Sequence, residues 1–339
     1  IFWMIVGHSI FFRFGLSNGF LNTILNFANV FCYITFLFTY GVGLYFSRVE
    51  KLPRRILILL YIYWITGTVS LWSYYPLYTW NLSLLMTELW RIITFKYFSS
   101  FTEYLPSFVI FGAVFYILKK VYGDRVGRWF ATSLYLRILT VLLLTHLVAN
   151  WLSHSLASTP QWARLLIGST QTFDFPVMQY ALVVAAGILA ATWLRETEKT
   201  VDAKVMTVGY CLLIGNLALK FSFNFSHALG WITPWINTPL RWPPSLLFIL
   251  NGLSATYFFW ILSRAMIRFS IFQIVSHVLI YMGRRSINFL VYHLLMLFAM
   301  KILGVPMFSI WGLGLFILLI PLTYRMIEVG YNKFNEKAS

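Results

Sequence analysis

The sequence predicts an all-α integral membrane protein, a polytopic helix bundle of about ten transmembrane helices with both ends in the cytoplasm. Residues 1–339 are expected to form a single domain. Charged residues make up only 11% of the chain and hydrophobic ones 60%, whereas a soluble domain carries roughly 25% charged residues. Apolar segments recur along the whole chain, and basic residues gather in alternate connections between them, as in membrane proteins of fixed orientation.

Ten apolar segments are candidate spans, because a spanning helix needs about 20 mostly apolar residues. They cover approximately residues 1–12, 27–47, 54–72, 104–121, 130–152, 175–194, 205–222, 244–263, 285–303 and 307–327. The first segment is too short to cross a bilayer, and it lacks the charged start and cleavage site of a signal peptide. We therefore expect the first helix to be truncated in this chain.

The orientation follows from the distribution of positive charge. The chain has 26 Lys and Arg against 10 Asp and Glu, a formal net charge of +16. If the start is cytoplasmic and the spans alternate, every connection expected inside is rich in Lys and Arg, and none of those expected outside is. The orientation of the chain in the membrane thus explains the excess of positive charge. Because no basic stripe with interleaved aromatic residues stands outside the apolar segments, nucleic acid is not expected as a partner.

Two further stretches are predicted to be amphipathic helices at the membrane surface. Residues 82–98 have apolar side chains at helical spacing with charges between them, and they lie on the outer side. Residues 267–283 precede the ninth span and are expected to be the inner counterpart, or a segment that dips into the membrane.

Ionisable side chains within spans are costly and indicate function unless they have a packing role. His8 lies in the first segment, and Arg137 and His293 are expected about 13 Å and about 12 Å deep, counted at 1.5 Å per residue from Arg128 and Arg285. Arg137 either extends to the inner surface or meets an anion. For His146 and His154, near the outer end of the fifth segment, hydrogen bonding to a neighbouring helix is the favoured interpretation.

The outer ends of two late helices each carry one charged residue. Asp174 opens the sixth span in "FDFP", and Arg241 opens the eighth in "RWPPSLLFIL". One carboxylate and one cation at this mouth could orient a polar acceptor. No carboxylate lies deep in a span, which argues against a proton-coupled pump. The two cysteines lie in apolar segments, and no metal site is expected.

Three features resemble the membrane acyltransferase 3 superfamily, which includes sugar O-acetylases and glucan-succinylating proteins and is related to the heparan glucosaminide acetyltransferases. His8 with its apolar segment is similar to the histidine of the family's first helix, and the matching arginine would fall before Ile1. "RWPPSLLFIL" (241–250) resembles the entry to a late helix in several branches. "MGRRSINFLVYHLLML" (282–297) is similar to the penultimate helix of the family.

The resemblance implies transfer of an acetyl or succinyl group across a membrane, from cytoplasmic acyl-CoA to a hydroxyl or amine of an extracytoplasmic glycan-type acceptor. His8 would be the catalytic base or would accept the acyl group itself. His293 would be a second catalytic residue, or else a residue that supports the site or packs between helices. Phosphates of CoA would bind Arg137, Arg284 and Arg285. The bacterial inner membrane is the expected location, with the lipid bilayer and the glycan as partners and acyl-CoA as co-substrate.

Two other classes of function remain open from the sequence. A transporter of a small anion or a lipid-linked sugar would use Gly41 and Gly43 as hinge or cavity residues. A non-catalytic subunit of a larger membrane complex would use its aromatic faces for packing, and His8 for packing or for binding a haem or pigment.

Overall fold

The computed structural model describes most of the chain, chiefly as helical segments. The described residues are 2–13, 19–74, 81–95, 104–123, 125–131, 134–155, 161–169, 175–194, 198–222, 244–269, 272–305 and 310–338.

All regular secondary structure in these residues is helical, and they contain no strand, which confirms the all-α prediction. The α-helices are α1 (Phe2–Arg13), α2 (Gly19–Phe46), α3 (Leu52–Tyr74), α4 (Leu82–Ile93), α5 (Leu105–Tyr122), α6 (Arg125–Ala131), α7 (Leu134–Ser155), α8 (Gln161–Ile167), α9 (Val177–Trp193), α10 (Glu198–Ser222), α11 (Leu246–Arg268), α12 (Gln273–Arg284), α13 (Ser286–Ile302) and α14 (Ile310–Ala338). A short 3₁₀ turn, Val49–Lys51, precedes α3.

Each of the ten apolar segments overlaps one of these helices. Four described helical stretches are long and apolar enough to cross a membrane, and the bent pair α12 and α13 could make a fifth. The four are Val49–Leu71, Leu105–Tyr122, Leu134–Ser155 and Gly312–Val329. By length and composition these helices are compatible with an integral membrane protein, whereas the count of ten spans and the cytoplasmic ends stay predictions.

The chain divides into two compact units, and the single membrane domain expected from the sequence stays a prediction. The first contains residues 1–29, 69–79 and 263–339, and the second contains residues 30–68 and 80–262. Helices α2, α3 and α11 contribute residues to both units.

The first unit is built around α1. Ile5 of α1 belongs to an apolar cluster with Phe289 and Leu297 of α13 and Phe316 and Ile320 of α14, all nearly or fully buried. A second cluster joins other α1 residues to the beginning of α2 and to α14 through Val6, Ile10, Leu21, Leu25 and Leu313. The helix is therefore held on several sides by apolar contacts, which stabilise it in proportion to the area they bury.

The second unit contains a very close crossing of α2 and α9. A Cβ atom built on Gly41 would overlap the carbonyl oxygen of Val184, and one built on Gly187 would overlap the carbonyl oxygen of Phe38. Small residues at such crossings let two helix backbones approach directly. Gly41 is therefore a packing residue here, whereas a Cβ on Gly43 would meet no described atom within 4 Å.

The two predicted amphipathic segments form the short helices α4 and α12. In α4 the buried residues are Glu88 and Ile92, and Arg91 Nη1 donates a hydrogen bond to Glu88 Oε1 at 2.7 Å. Helix α12 meets α13 at an angle of 87°. The helices confirm the predicted secondary structure, and their position at the membrane surface stays a prediction.

Candidate active site

The two histidines that carried the sequence prediction lie together in the first unit. Phe289, His293 and Leu297 follow one another at intervals of four residues, so they share one face of α13. Ile5 and His8, three residues apart, also share a face of α1, and α1 packs against α13. The apolar residues of these two faces hold the helices together and thereby bring the histidine side chains into contact.

His8 and His293 form a hydrogen-bonded imidazole pair. The Nδ1 atom of His8 lies 2.9 Å from the Nε2 atom of His293, although the residues are 285 positions apart in the chain. The ring centroids are 5.2 Å apart and the ring planes differ by 14°. His293 is fully buried and His8 is partly buried.

The surrounding hydrogen bonds determine which ring nitrogens carry hydrogen. His293 Nδ1 lies 2.7 Å from the carbonyl oxygen of Phe289, and because a carbonyl can only accept, this nitrogen must donate. In the neutral ring Nε2 of His293 is then an acceptor, so His8 Nδ1 must donate to it. In the neutral pair, Nε2 is therefore the ring nitrogen of His8 that carries no hydrogen.

Burial favours the same nitrogen as the place where the pair takes up a proton. A positive charge on fully buried His293 would be separated from water at a large cost in free energy. His8 is the more exposed ring, and when protonated it would still donate from Nδ1 to neutral His293. The arrangement can thus remove a proton from a substrate group and return it, with His293 fixing the orientation of the His8 ring.

Arg285 lies at the bend between α12 and α13, in a charged cluster centred on Glu328 of α14. Its Nε donates to Glu328 Oε1 at 2.5 Å, and Arg325 Nη1 and Tyr281 Oη donate to Oε2 at 2.7 Å and 2.8 Å. The guanidinium of Arg285 also lies 4.5 Å from the centre of the Tyr281 ring. Arg285 therefore already has a carboxylate partner, whereas the sequence proposed it as a ligand of phosphate.

The other two predicted donor-binding arginines have more exposed side chains. Arg284 is the last residue of α12 and is exposed. Arg137 is also exposed, and it lies in the first turn of α7, about 4–5 Å from the helix start at 1.5 Å per residue. Arg128 lies in α6, and residues 132–133 between α6 and α7 lie outside the described residues, so the depth expected for Arg137 stays a prediction. Arg137 belongs to the second unit.

The predicted acceptor residues Asp174 and Arg241 lie outside the described residues. Within the described part of the chain, no group of three or more His, Cys, Asp or Glu is placed to hold a metal ion. His146 is fully buried, and its Nδ1 donates to the carbonyl oxygen of Gln179 at 3.1 Å, the packing role favoured for it. His154 is exposed.

Sequence reasoning singled out both histidines of the pair but did not predict that they bond to each other. It also missed Tyr281 and Glu328, which hold Arg285. The separation of Tyr281 and Arg285 by four residues was a visible signal of contact if the helix continued through them. Nothing in the sequence indicates that Glu328 lies against them.

Comparison of the chain with protein-family profiles, with curated proteins and with solved structures found no match.

Proposed function

We propose that this protein is a membrane acyltransferase in which His8 acts as general base toward the acceptor and His293 orients it. The hydrogen bond from His8 to buried His293 is the observation that carries the proposal. A hydrogen-bonded imidazole pair among apolar helices can transfer a proton, because the partner ring fixes which nitrogen of His8 carries hydrogen and ionisable groups at such positions are often functional. The resemblance of both histidine segments to membrane acyltransferases supports the same chemistry.

In the proposed reaction an acceptor hydroxyl or amine attacks the thioester carbonyl of acyl-CoA. Nε2 of His8 takes the acceptor proton as the new C–O or C–N bond forms. The C–S bond then breaks, and the proton passes from His8 to the CoA thiolate, so that free CoA and the acylated acceptor leave. His293 keeps the proton-accepting nitrogen of His8 directed at the acceptor throughout.

Acyl-CoA is the proposed co-substrate, with an acetyl or succinyl group and with its phosphates on the cytoplasmic side. Arg284 is the exposed arginine of the first unit proposed to meet these phosphates, and Arg285 would do so only by sharing its charge with Glu328. Arg137 lies in the second unit and is not part of this proposed site. Asp174 and Arg241 stay the proposed contacts for an extracytoplasmic glycan. The proposal includes ten spans, cytoplasmic ends and a place in a bacterial inner membrane.

The test is release of free CoA thiol from acetyl-CoA and succinyl-CoA by the purified protein in lipid nanodiscs, with glycan acceptors added. Loss of a general base typically lowers the rate by roughly 10²- to 10⁴-fold, so His8→Ala should reduce thiol release by that order. His154→Ala is the matched control, because it removes an exposed histidine of the second unit. It should leave the rate unchanged.

Equal thiol release by the wild-type protein and His8→Ala would refute the assigned role of His8. Absence of both CoA binding and turnover in the wild-type protein, with every donor and acceptor tried, would refute the acyltransferase proposal.

A further inference from the structure

We propose that Glu328 is a positioning residue for the His8–His293 pair, which it controls by fixing the bend between α12 and α13. The inference rests on the proposed function only for its kinetic readout. A spectroscopic readout tests it separately.

Glu328 connects three elements at one point. Its two carboxylate oxygens accept from Arg285 at the bend, from Tyr281 near the end of α12 and from Arg325 on its own helix. The Glu328 side chain is 17% exposed and that of Arg285 is 32% exposed, so the ion pair is partly withdrawn from water and is stronger than a surface pair. The carboxylate thus ties α14 to the residue that joins α12 and α13.

A continuous path of hydrogen bonds leads from this ion pair to the active histidines. The carbonyl oxygen of Arg285 accepts a hydrogen bond from the Phe289 amide at 3.0 Å, a backbone bond of the α-helical type at the beginning of α13. The Phe289 carbonyl accepts from His293 Nδ1 at 2.7 Å, and His293 Nε2 accepts from His8 at 2.9 Å. A rotation at Arg285 therefore changes the position of the carbonyl that determines the tautomer of His293.

Phe289 also links the cluster to the pair by packing. Its ring centre lies 4.5 Å from that of Tyr324 on α14 and 5.8 Å from that of Tyr281 on α12. Asn288 Nδ2 donates to the Tyr324 hydroxyl at 2.8 Å, which adds a second polar tie between α13 and α14. The first turn of α13 is consequently oriented by α14, and Glu328 provides the charged contact in that orientation.

The first experiment measures kcat and KM for acyl-CoA in Glu328→Ala, Glu328→Gln and Tyr281→Phe. Because a displacement of about 1 Å at a catalytic group can cost roughly 10²-fold in rate, Glu328→Ala should lower kcat by about that factor with little change in KM. Glu328→Gln keeps an acceptor for Arg285 and should recover part of the loss. Glu50→Ala is the control, because Glu50 is an exposed carboxylate of the second unit.

The second experiment records the ring-nitrogen resonances of ¹⁵N-histidine-labelled protein, with His8 and His293 assigned by substitution. Protonated and unprotonated ring nitrogens resonate separately, so the spectrum reports the tautomers whether or not any acyl donor reacts. The wild-type protein should show hydrogen on Nδ1 of both rings. Glu328→Ala should show a mixture of tautomers for His293. Tyr281→Phe removes only one hydrogen bond to the Glu328 carboxylate and should show a smaller fraction of the second tautomer.

Unchanged histidine resonances in a folded Glu328→Ala or Tyr281→Phe protein would overturn the proposal. A lower KM for acyl-CoA with unchanged kcat in Glu328→Ala would also overturn it, because Glu328 would then compete with the donor for Arg285. If the wild-type protein neither binds nor turns over acyl-CoA with any donor and acceptor tried, but the tautomers shift as expected, the acyltransferase proposal fails and the positioning role of Glu328 stands.

Discussion

Replacement of Lys119 by methionine should destabilise the second unit, because this lysine completes the end of α2. Its ammonium group is the donor to the carbonyl oxygens of Tyr45 at 3.0 Å and Ser47 at 2.7 Å, and the residue is only 8% exposed. The last carbonyls of a helix lack partners within the helix, and a positive charge at this end is favourable.

The magnitude follows from the two carbonyls that Lys119 bonds. A buried acceptor left without a partner costs about 1–3 kcal/mol. Loss of a cation at a helix C-terminus costs about a further 0.3–1 kcal/mol. Methionine fills similar space and removes the cost of burying a charge, which offsets part of this. We therefore expect the free energy of unfolding to fall by about 2–3 kcal/mol.

The assay is unfolding of the purified protein by SDS titration in mixed micelles, followed by circular dichroism. Lys120→Met is the matched control, because Lys120 is the next residue, is exposed and lies 5.8 Å from the centre of the Tyr116 ring. It should change the free energy of unfolding by less than about 0.5 kcal/mol, as is usual for surface positions. If Lys119→Met loses no more stability than Lys120→Met, Lys119 does not satisfy these carbonyls.

Two further substitutions test the packing of the second unit by the same unfolding measurement. Gly41→Ala should lower the free energy of unfolding by about 1–3 kcal/mol or more, because the new methyl group would overlap the Val184 carbonyl. The control Gly43→Ala should be neutral or slightly stabilising, because the described structure leaves open space around Gly43. Equal effects of the two substitutions would contradict the close crossing of α2 and α9. His146→Leu should change the free energy of unfolding by less than about 1 kcal/mol, because two effects offset each other: the hydrogen bond to Gln179 is lost, and a buried ring nitrogen, Nε2, that has no partner in the described structure is removed. A loss above about 2 kcal/mol would show that Nε2 is bonded.

The sequence by itself determined the class of protein and the position of the helices along the chain. Hydropathy and charge are properties of local sequence, so the ten apolar segments could be recognised without knowing how they pack, and each overlaps a helix of the structure. The same local reasoning predicted short helices at α4 and α12 and placed His8 and His293 within apolar segments.

Only the tertiary structure decided which of these residues act together. His8 and His293 are 285 positions apart, and Arg285 and Glu328 are 43 positions apart, so no local pattern specifies either contact. Gly41, considered from the sequence as a hinge, is a packing residue because α9 crosses directly over it. Partners of this kind are chosen by the complementary shapes of whole helix faces, which depend on every helix of a unit at once and are not written in any single segment.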